Sequence, residues 1–416
     1  MNQLQHLNRL SELNANKGVR FLHSAASPGS HCPMHTALAF AKRMQGVSTL
    51  VVGTPECGYY SRFVMDTPYG TDGELHYVYE MDSNEVVFGC REGLMKAIRQ
   101  MEEEGAAVIL LVITCVPALI GEDAKALIEE LKGKLQAKLF YVDVAHFKRN
   151  GYQSGYYLFY EKLADILEAE RYGQGTGINI LGSGQGSEAA IFINILQRND
   201  VAVNEFTFDS PVSQLEMLSG AEVSVVLSVK MLGMAKALHQ RYGIPYIALC
   251  NRYHPEEIAE GYREVFDLFG IRDGEELTVR YRELLDLQER VKELIQGLRY
   301  MSAHPDLEVT VSAYLCRLGM IPVLLHVEEY YEEDTAAKEQ ILARGHNPYI
   351  TYITNKNRLM EAVAGEKIDL SVGECKDFPE GRSIPDRELY QAAGLYGYEK
   401  TERLLRLLTV SAERKE

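Results

Sequence analysis

The chain has 416 residues, 46% hydrophobic and 25% charged, an ordinary globular composition with room for two or three domains. Its net charge of -16, with no cluster of basic residues, argues against a nucleic-acid partner. The longest apolar stretch, 106–120, is interrupted by Thr114 and Pro117, and residues 1–17 are polar, so no membrane partner and a cytoplasmic location are expected.

Strand and helix patterns alternate almost throughout, which predicts an α/β class with mostly parallel sheets. In the first third, strands are expected near 20–23, 49–52, 76–79, 108–113 and 139–142. Helices are expected near 34–43, 92–103 and 118–131. A helical pattern over 154–172 ends at Gly173-Gln174-Gly175-Thr176-Gly177, the clearest break in composition. Strands at 178–181, 202–208, 223–227 and 246–249 follow, with helices at 188–197 and 231–242. Residues 275–297 read as a long, charged amphipathic connector. Strands at 308–312, 321–326, 349–351 and 368–371 and a helical tail over 386–408 complete the chain. The expected division is an N-terminal α/β domain at 1–173, a second at 174–273, a connecting helix at 274–304 and a third domain with a C-terminal helix at 305–416.

Structural disulfides are rare in a cytoplasmic protein, so the seven cysteines read as buried small hydrophobes or metal ligands. Cys57 follows an apolar strand in Gly53-Thr54-Pro55-Glu56-Cys57-Gly58, where Pro and Gly frame a tight loop. Cys32 lies in Ser30-His31-Cys32-Pro33, just before a helical pattern, and Cys115 ends the most apolar strand in Ile113-Thr114-Cys115-Val116-Pro117. Cys90, in Val87-Phe88-Gly89-Cys90, is a possible fourth. No C-x-x-C pair exists, which disfavours a zinc ribbon. Thiolates from separated loops suit a wider iron–sulfur cluster; the competing reading is a set of unrelated buried thiols. His23, His31 and His35 crowd around Cys32, but Pro33 breaks the geometry between the last two. Gly182-x-Gly184-x-Gly186-Ser187 departs from dinucleotide-binding spacing and reads better as a tight strand–helix turn. No P-loop is present.

At these residues the sequence is similar to the nitrogenase component 1 superfamily, which includes molybdenum–iron protein subunits, cofactor-assembly paralogues and related reductases. Cys32 matches the family's first cluster cysteine. Thr54-Pro55-Glu56-Cys57-Gly58-Tyr59-Tyr60-Ser61 resembles its G-P-x-G-C-x-x-Y-S segment, and Val87-Phe88-Gly89 its V-F-G-G turn. Thr114-Cys115-Val116-Pro117-Ala118-Leu119-Ile120-Gly121-Glu122-Asp123 resembles its C-x-x-x-L-I-G-D-D loop. Weaker likenesses at 178–182, 242–246 and 369–376 extend it over nearly the whole chain.

The resemblance implies three Rossmann-like domains with mostly parallel sheets. It also implies an iron–sulfur cluster, P-cluster-like or 4Fe–4S, held by Cys32, Cys57 and Cys115 at an interface with a homologous or identical subunit. A separate ATP-dependent iron protein of the nitrogenase-reductase type would dock and deliver electrons to an iron–sulfur oxidoreductase. The alternatives are a non-catalytic cofactor-assembly scaffold and a cluster-free binding protein.

Glu56 and Cys90 stand where the family pattern has glycines. The place of the family's cofactor cysteine falls near Leu227 or Ser228, and no histidine follows Cys375, so a standard molybdenum–iron cofactor is not expected. Lys230, Cys250, Asn251 and Arg252 are candidates for a substrate cleft.

Overall fold

The computed structural model describes residues 7–14, 32–145, 155–173, 177–182, 186–272, 274–303, 309–327, 330–351, 360, 363–375, 378–379 and 382–413. The expected strand at 20–23, with His23 and His31, lies outside them. In chain order the elements begin with β1 (Asn8–Arg9), α1 (Pro33–Arg43), β2 (Ser48–Gly53), α2 (Pro55–Ser61), β3 (His76–Glu80), α3 (Ser83–Phe88) and α4 (Arg91–Glu103). Next come β4 (Val108–Ile113), α5 (Cys115–Ile120), α6 (Ala124–Leu131), β5 (Lys138–Asp143), α7 (Gly155–Leu163), β6 (Ile178–Leu181) and α8 (Ser187–Arg198). β7 (Val203–Phe206), β8 (Val223–Val226), α9 (Leu232–Tyr242), β9 (Tyr246–Ala248), α10 (Pro255–Leu268) and α11 (Glu275–Ile295) follow. The last are β10 (Arg299–Ser302), α12 (Val309–Arg317), β11 (Ile321–His326), α13 (Asp334–Ala343), β12 (Tyr349–Thr351), β13 (Leu370–Val372), β14 (Ser383–Ile384), α14 (Asp386–Ala393) and α15 (Gly397–Glu413).

These elements form two compact units. One comprises His31–Ser183 and Ala202–Tyr246, the other Met1–Ser30, Gly184–Val201 and Ile247–Glu416. The first unit carries a four-stranded parallel sheet in the order β3-β2-β4-β5. Its central strands β2 and β4 are buried at all six positions each, as apolar runs of a parallel sheet covered on both faces must be. A second sheet, in the order β7-β6-β8-β9, ends at the strand in which the chain passes from one unit to the other. In the other unit a six-stranded sheet runs β1-β12-β11-β10-β13-β14, parallel except for the short β1 at its edge.

Several local expectations need correction. Residues 309–317 form a helix, although Val309-Thr310-Val311-Ser312 alternates like a strand. Most of its residues are buried, and packing overrides the β-branched preference. The pattern at 118–131 is two helices, because Gly121 takes a φ of +85° and Asp123 caps the second through the Ala126 N–H. The helix expected over 154–172 closes at Leu163. β1, α2, α3, α10, β10, α13 and β14 were not anticipated.

The unit holding α8 and α15 is tied by a reciprocal cap. The Glu188 carboxylate accepts the Tyr398 and Glu399 N–H groups, each at 2.8 Å, at the start of α15, and the Tyr262 hydroxyl at 2.5 Å. Glu399 in turn accepts the Glu188 N–H at 3.1 Å, at the start of α8. Each carboxylate thus meets the positive end of the other's helix. Gly186 and Gly397, both at positive φ, leave the room, since a Cβ on either would collide with the facing carboxylate.

Candidate metal centre

In the first sheet the chain runs from β2 to β3 on one side, then crosses to β4 on the other. The strand order therefore reverses between β2 and β4. At such a point the two following connections part, leaving a crevice at the carboxyl ends of the strands, the usual ligand position in an open parallel sheet. Cys57 follows β2 and Cys115 follows β4, so both flank this crevice.

Cys57 sits in the first turn of a two-turn helix rather than in a tight loop. Pro55 occupies a first-turn position of α2, where its missing N–H leaves no helical bond unmade. The Cys57 Sγ lies 3.3 Å from Thr114 Oγ1, and that hydroxyl donates to the Val52 carbonyl at 2.7 Å. Gly53 is required here: a Cβ would run into Thr114 Oγ1 and come within 2.8 Å of the sulfur. Cys115 is the first residue of α5, and Cys32 is the N-terminal cap residue of α1. His35 Nε2 lies 3.0 Å from the Tyr60 carbonyl and so ties α1 to α2. All three thiols are partly exposed, and all stand at helix starts, where partial positive charge favours an anionic ligand set.

Cys90 is placed differently. It caps α4 and packs into the core with Leu50, Val52 and Ile113. Its N–H donates to Glu122, while burial, and next the Glu122 carboxylate, push the thiol up to about 12. A Cβ on Gly89, whose φ is +91°, would come within 2.7 Å of that carboxylate.

Around the crevice lies an apolar surface that sequence pattern did not disclose. Phe88 is 85% exposed, Leu119 73%, Phe63 70% and Val87 70%. Tyr59, Tyr60 and Phe63 form an exposed ring cluster with centroids 5.4 to 6.2 Å apart. A capping box holds α3 in place: Asp82 accepts the Asn84 and Glu85 N–H groups, and Glu85 accepts the Asp82 N–H. Large apolar side chains exposed in this number are a feature of interaction surfaces.

The residues expected at a substrate cleft are placed as follows. Arg252 pairs with Glu264 and donates to the Ala248 and Glu257 carbonyls, and the Cys250 carbonyl accepts Lys400 Nζ at 2.8 Å. Asn251 keeps a buried Oδ1 without a partner among the described residues, and Lys230 lies in a short turn before α9. Gly182 follows β6, but residues 183–185 of its loop lie outside the described set.

Among the described residues, no three His, Cys, Asp or Glu side chains gather closely enough to hold a single metal ion. Cys57 and Cys115 instead bring thiols from two different connections beside one crevice, an arrangement that fits a thiolate-held iron–sulfur group more than a mononuclear ion. Among the same residues, no helix is long and apolar enough to cross a membrane.

The family model described as nitrogenase component 1 type oxidoreductase matches residues 32–411, beginning at Cys32. The nitrogenase molybdenum–iron protein alpha chain of Methanococcus maripaludis is 26% identical over 219 residues, 50% of this chain and 45% of that one. The nitrogenase iron–molybdenum cofactor biosynthesis protein NifE of Clostridium pasteurianum is 24% identical over 316 residues, 72% of this chain and 68% of that one. A solved chain of nitrogenase Cp1 at pH 6.5 superposes with a TM-score of 0.70 over 95% of both chains at 15% identity, so the α/β fold is shared. The chain belongs to the nitrogenase component 1 type oxidoreductase family.

Proposed function

We propose that this chain is a nitrogenase-like component 1 subunit, an iron–sulfur oxidoreductase that receives electrons from an ATP-dependent iron protein and passes them to a substrate. The observation that carries this reading is the pair Cys57 and Cys115 across one switch-point crevice, with Cys57 Sγ 3.3 Å from the residue before Cys115. In this reading Cys32, Cys57 and Cys115 are the cluster ligands and Cys90 is not, because its thiol faces the core. A bound cluster, P-cluster-like or 4Fe–4S, supplies a one-electron relay. The chain's own residues hold and tune it. Thr114, whose hydroxyl donates to the Val52 carbonyl, places its oxygen beside the Cys57 sulfur and fixes the local polarity there. The exposed surface of Phe63, Val87, Phe88 and Leu119 supports docking of a homologous or identical subunit, or of the iron protein, and would exclude water from the crevice once covered.

A second reading is favoured by the NifE relatives: a scaffold on which a cofactor is assembled and then released. Both readings keep the cysteine site and differ in turnover. Anaerobic protein mixed with a nitrogenase-type iron protein and ATP should show ATP-dependent reduction of its cluster, read by electron paramagnetic resonance, and sustained electron flow to an acceptor. Stoichiometric release of a metal cofactor without sustained flow would favour the scaffold. A metal-loaded chain with neither behaviour would overturn both.

A further inference from the structure

A cleft of about 530 Å³ opens in the unit containing α10, α11 and α15. It lies against the later part of α10, the loop after it and the first half of α11. Its base is apolar, with Phe266, Ile271, Leu277 and Tyr398 all buried. The volume is that of an ordinary small-molecule site.

Arg263, Arg272 and Arg282 line this cleft, and all three are exposed. Arg263 Nε donates at 3.4 Å to the Ala259 carbonyl of its own helix. Among the described residues, no carboxylate pairs with any of the three guanidinium groups. Other arginines of the same unit behave differently: Arg198 pairs with Glu276, Arg252 with Glu264, Arg299 with Glu366 and Arg317 with Glu257. Asp267 and Glu275 also line the cleft, yet neither takes up an arginine there. Asp273 lies outside the described residues and is no part of the site.

Three unpaired guanidinium groups at one concavity repel one another and lower the barrier to an anion, on a chain whose net charge of -16 otherwise repels anions. Each is a planar fork suited to two oxygens of a carboxylate or phosphate. Tyr281, partly exposed and backed by the buried Tyr398 ring with centroids 6.2 Å apart, adds aromatic surface for a planar body. We infer that this cleft binds a small organic polyanion, its carboxylate or phosphate groups held by Arg263, Arg272 and Arg282 and its planar body laid against Tyr281. The site is independent of the cysteine crevice, and its test needs no metal.

Titration calorimetry of the full chain at low salt, with isophthalate, adenosine diphosphate and inorganic pyrophosphate as probes, separates carboxylate from phosphate preference and shows whether the planar body matters. At least one probe should bind with a dissociation constant below about 1 mM. Its affinity should fall about tenfold or more in Arg272→Gln/Arg282→Gln, and stay unchanged in Arg198→Gln, which removes a paired arginine. If the double variant fails to fold by circular dichroism, Arg282→Gln alone should weaken the same probe at least about threefold. No binding by any probe, or unchanged affinity in the folded variant, overturns the proposal.

Discussion

The Glu188 junction and the cysteine crevice are both built from helix N-termini, and they are finished in opposite ways. At Glu188 the chain closes on itself. The carboxylate is buried and takes three hydrogen bonds, and each helix start is met by the other's acid. At the crevice the helix starts bearing Cys57 and Cys115 stay partly open, as does the helix start at Cys32, and large apolar side chains such as Phe88 and Leu119 face outward. A buried polar group without partners costs about 1–3 kcal/mol, so the first arrangement reads as stability. The second leaves apolar area in water that folding alone would have hidden, so it reads as a surface awaiting something else.

The largest effect on folding should come from breaking the closed region. Glu188→Ala leaves two backbone N–H groups and the Tyr262 hydroxyl unmatched, and should cost on the order of 3 kcal/mol by urea unfolding. A loss under about 0.5 kcal/mol would mean that the reciprocal cap is not a stabilising feature. The same residue gives a pH signature. Burial, the largest influence, outweighs the hydrogen bonds from Tyr262, Tyr398 and Glu399 and raises the Glu188 carboxyl to about 7. Between its unfolded value near 4.5 and about 7, the folded chain holds a proton that the unfolded chain has released. This group's contribution to stability therefore falls as pH rises through that window. Relative to Glu188→Gln, the wild type should lose on the order of 2 kcal/mol between pH 5 and pH 8; parallel pH profiles would contradict the assignment.

On the open side, Phe88→Asp should leave stability within about 0.5 kcal/mol, because the ring is 85% exposed. It should weaken association with a partner subunit or iron protein about tenfold, measured by sedimentation or surface binding. Unchanged association would remove Phe88 from the docking surface. The smallest effect is expected at Cys90→Ala. A core sulfur is lost, at about 1 kcal/mol, and iron content should hold. Loss of iron there would make Cys90 a ligand after all.

How much was readable depended on whether the signal was local. β2 and β4 declare themselves as unbroken apolar runs, and the cysteine segments carry their spacing with them. The strand expected at 308–312 failed because alternation over four β-branched or small residues is compatible with a helix buried on most sides, as α12 is. The helical character of 55–61 was hidden by Pro55 and Gly58, which read as loop markers although Pro55 opens the helix. The capping role of Glu188 could not be read at all, since its partners lie 74 to 211 residues away. Phe88 looks like a core residue in the sequence; only the placement of α3 reveals that it faces out.

The central claim is that Cys57 is a cluster ligand and not merely a packed thiol. Iron and acid-labile sulfide analysis of anaerobically purified wild type, Cys57→Ala and Cys316→Ala tests it most directly, because Cys316 is a buried cysteine of the other unit. The account predicts cluster iron in the wild type and in Cys316→Ala, and loss of most of it in Cys57→Ala. Less than about one iron per chain in wild type with intact thiols, or equal loss in both variants, would contradict it.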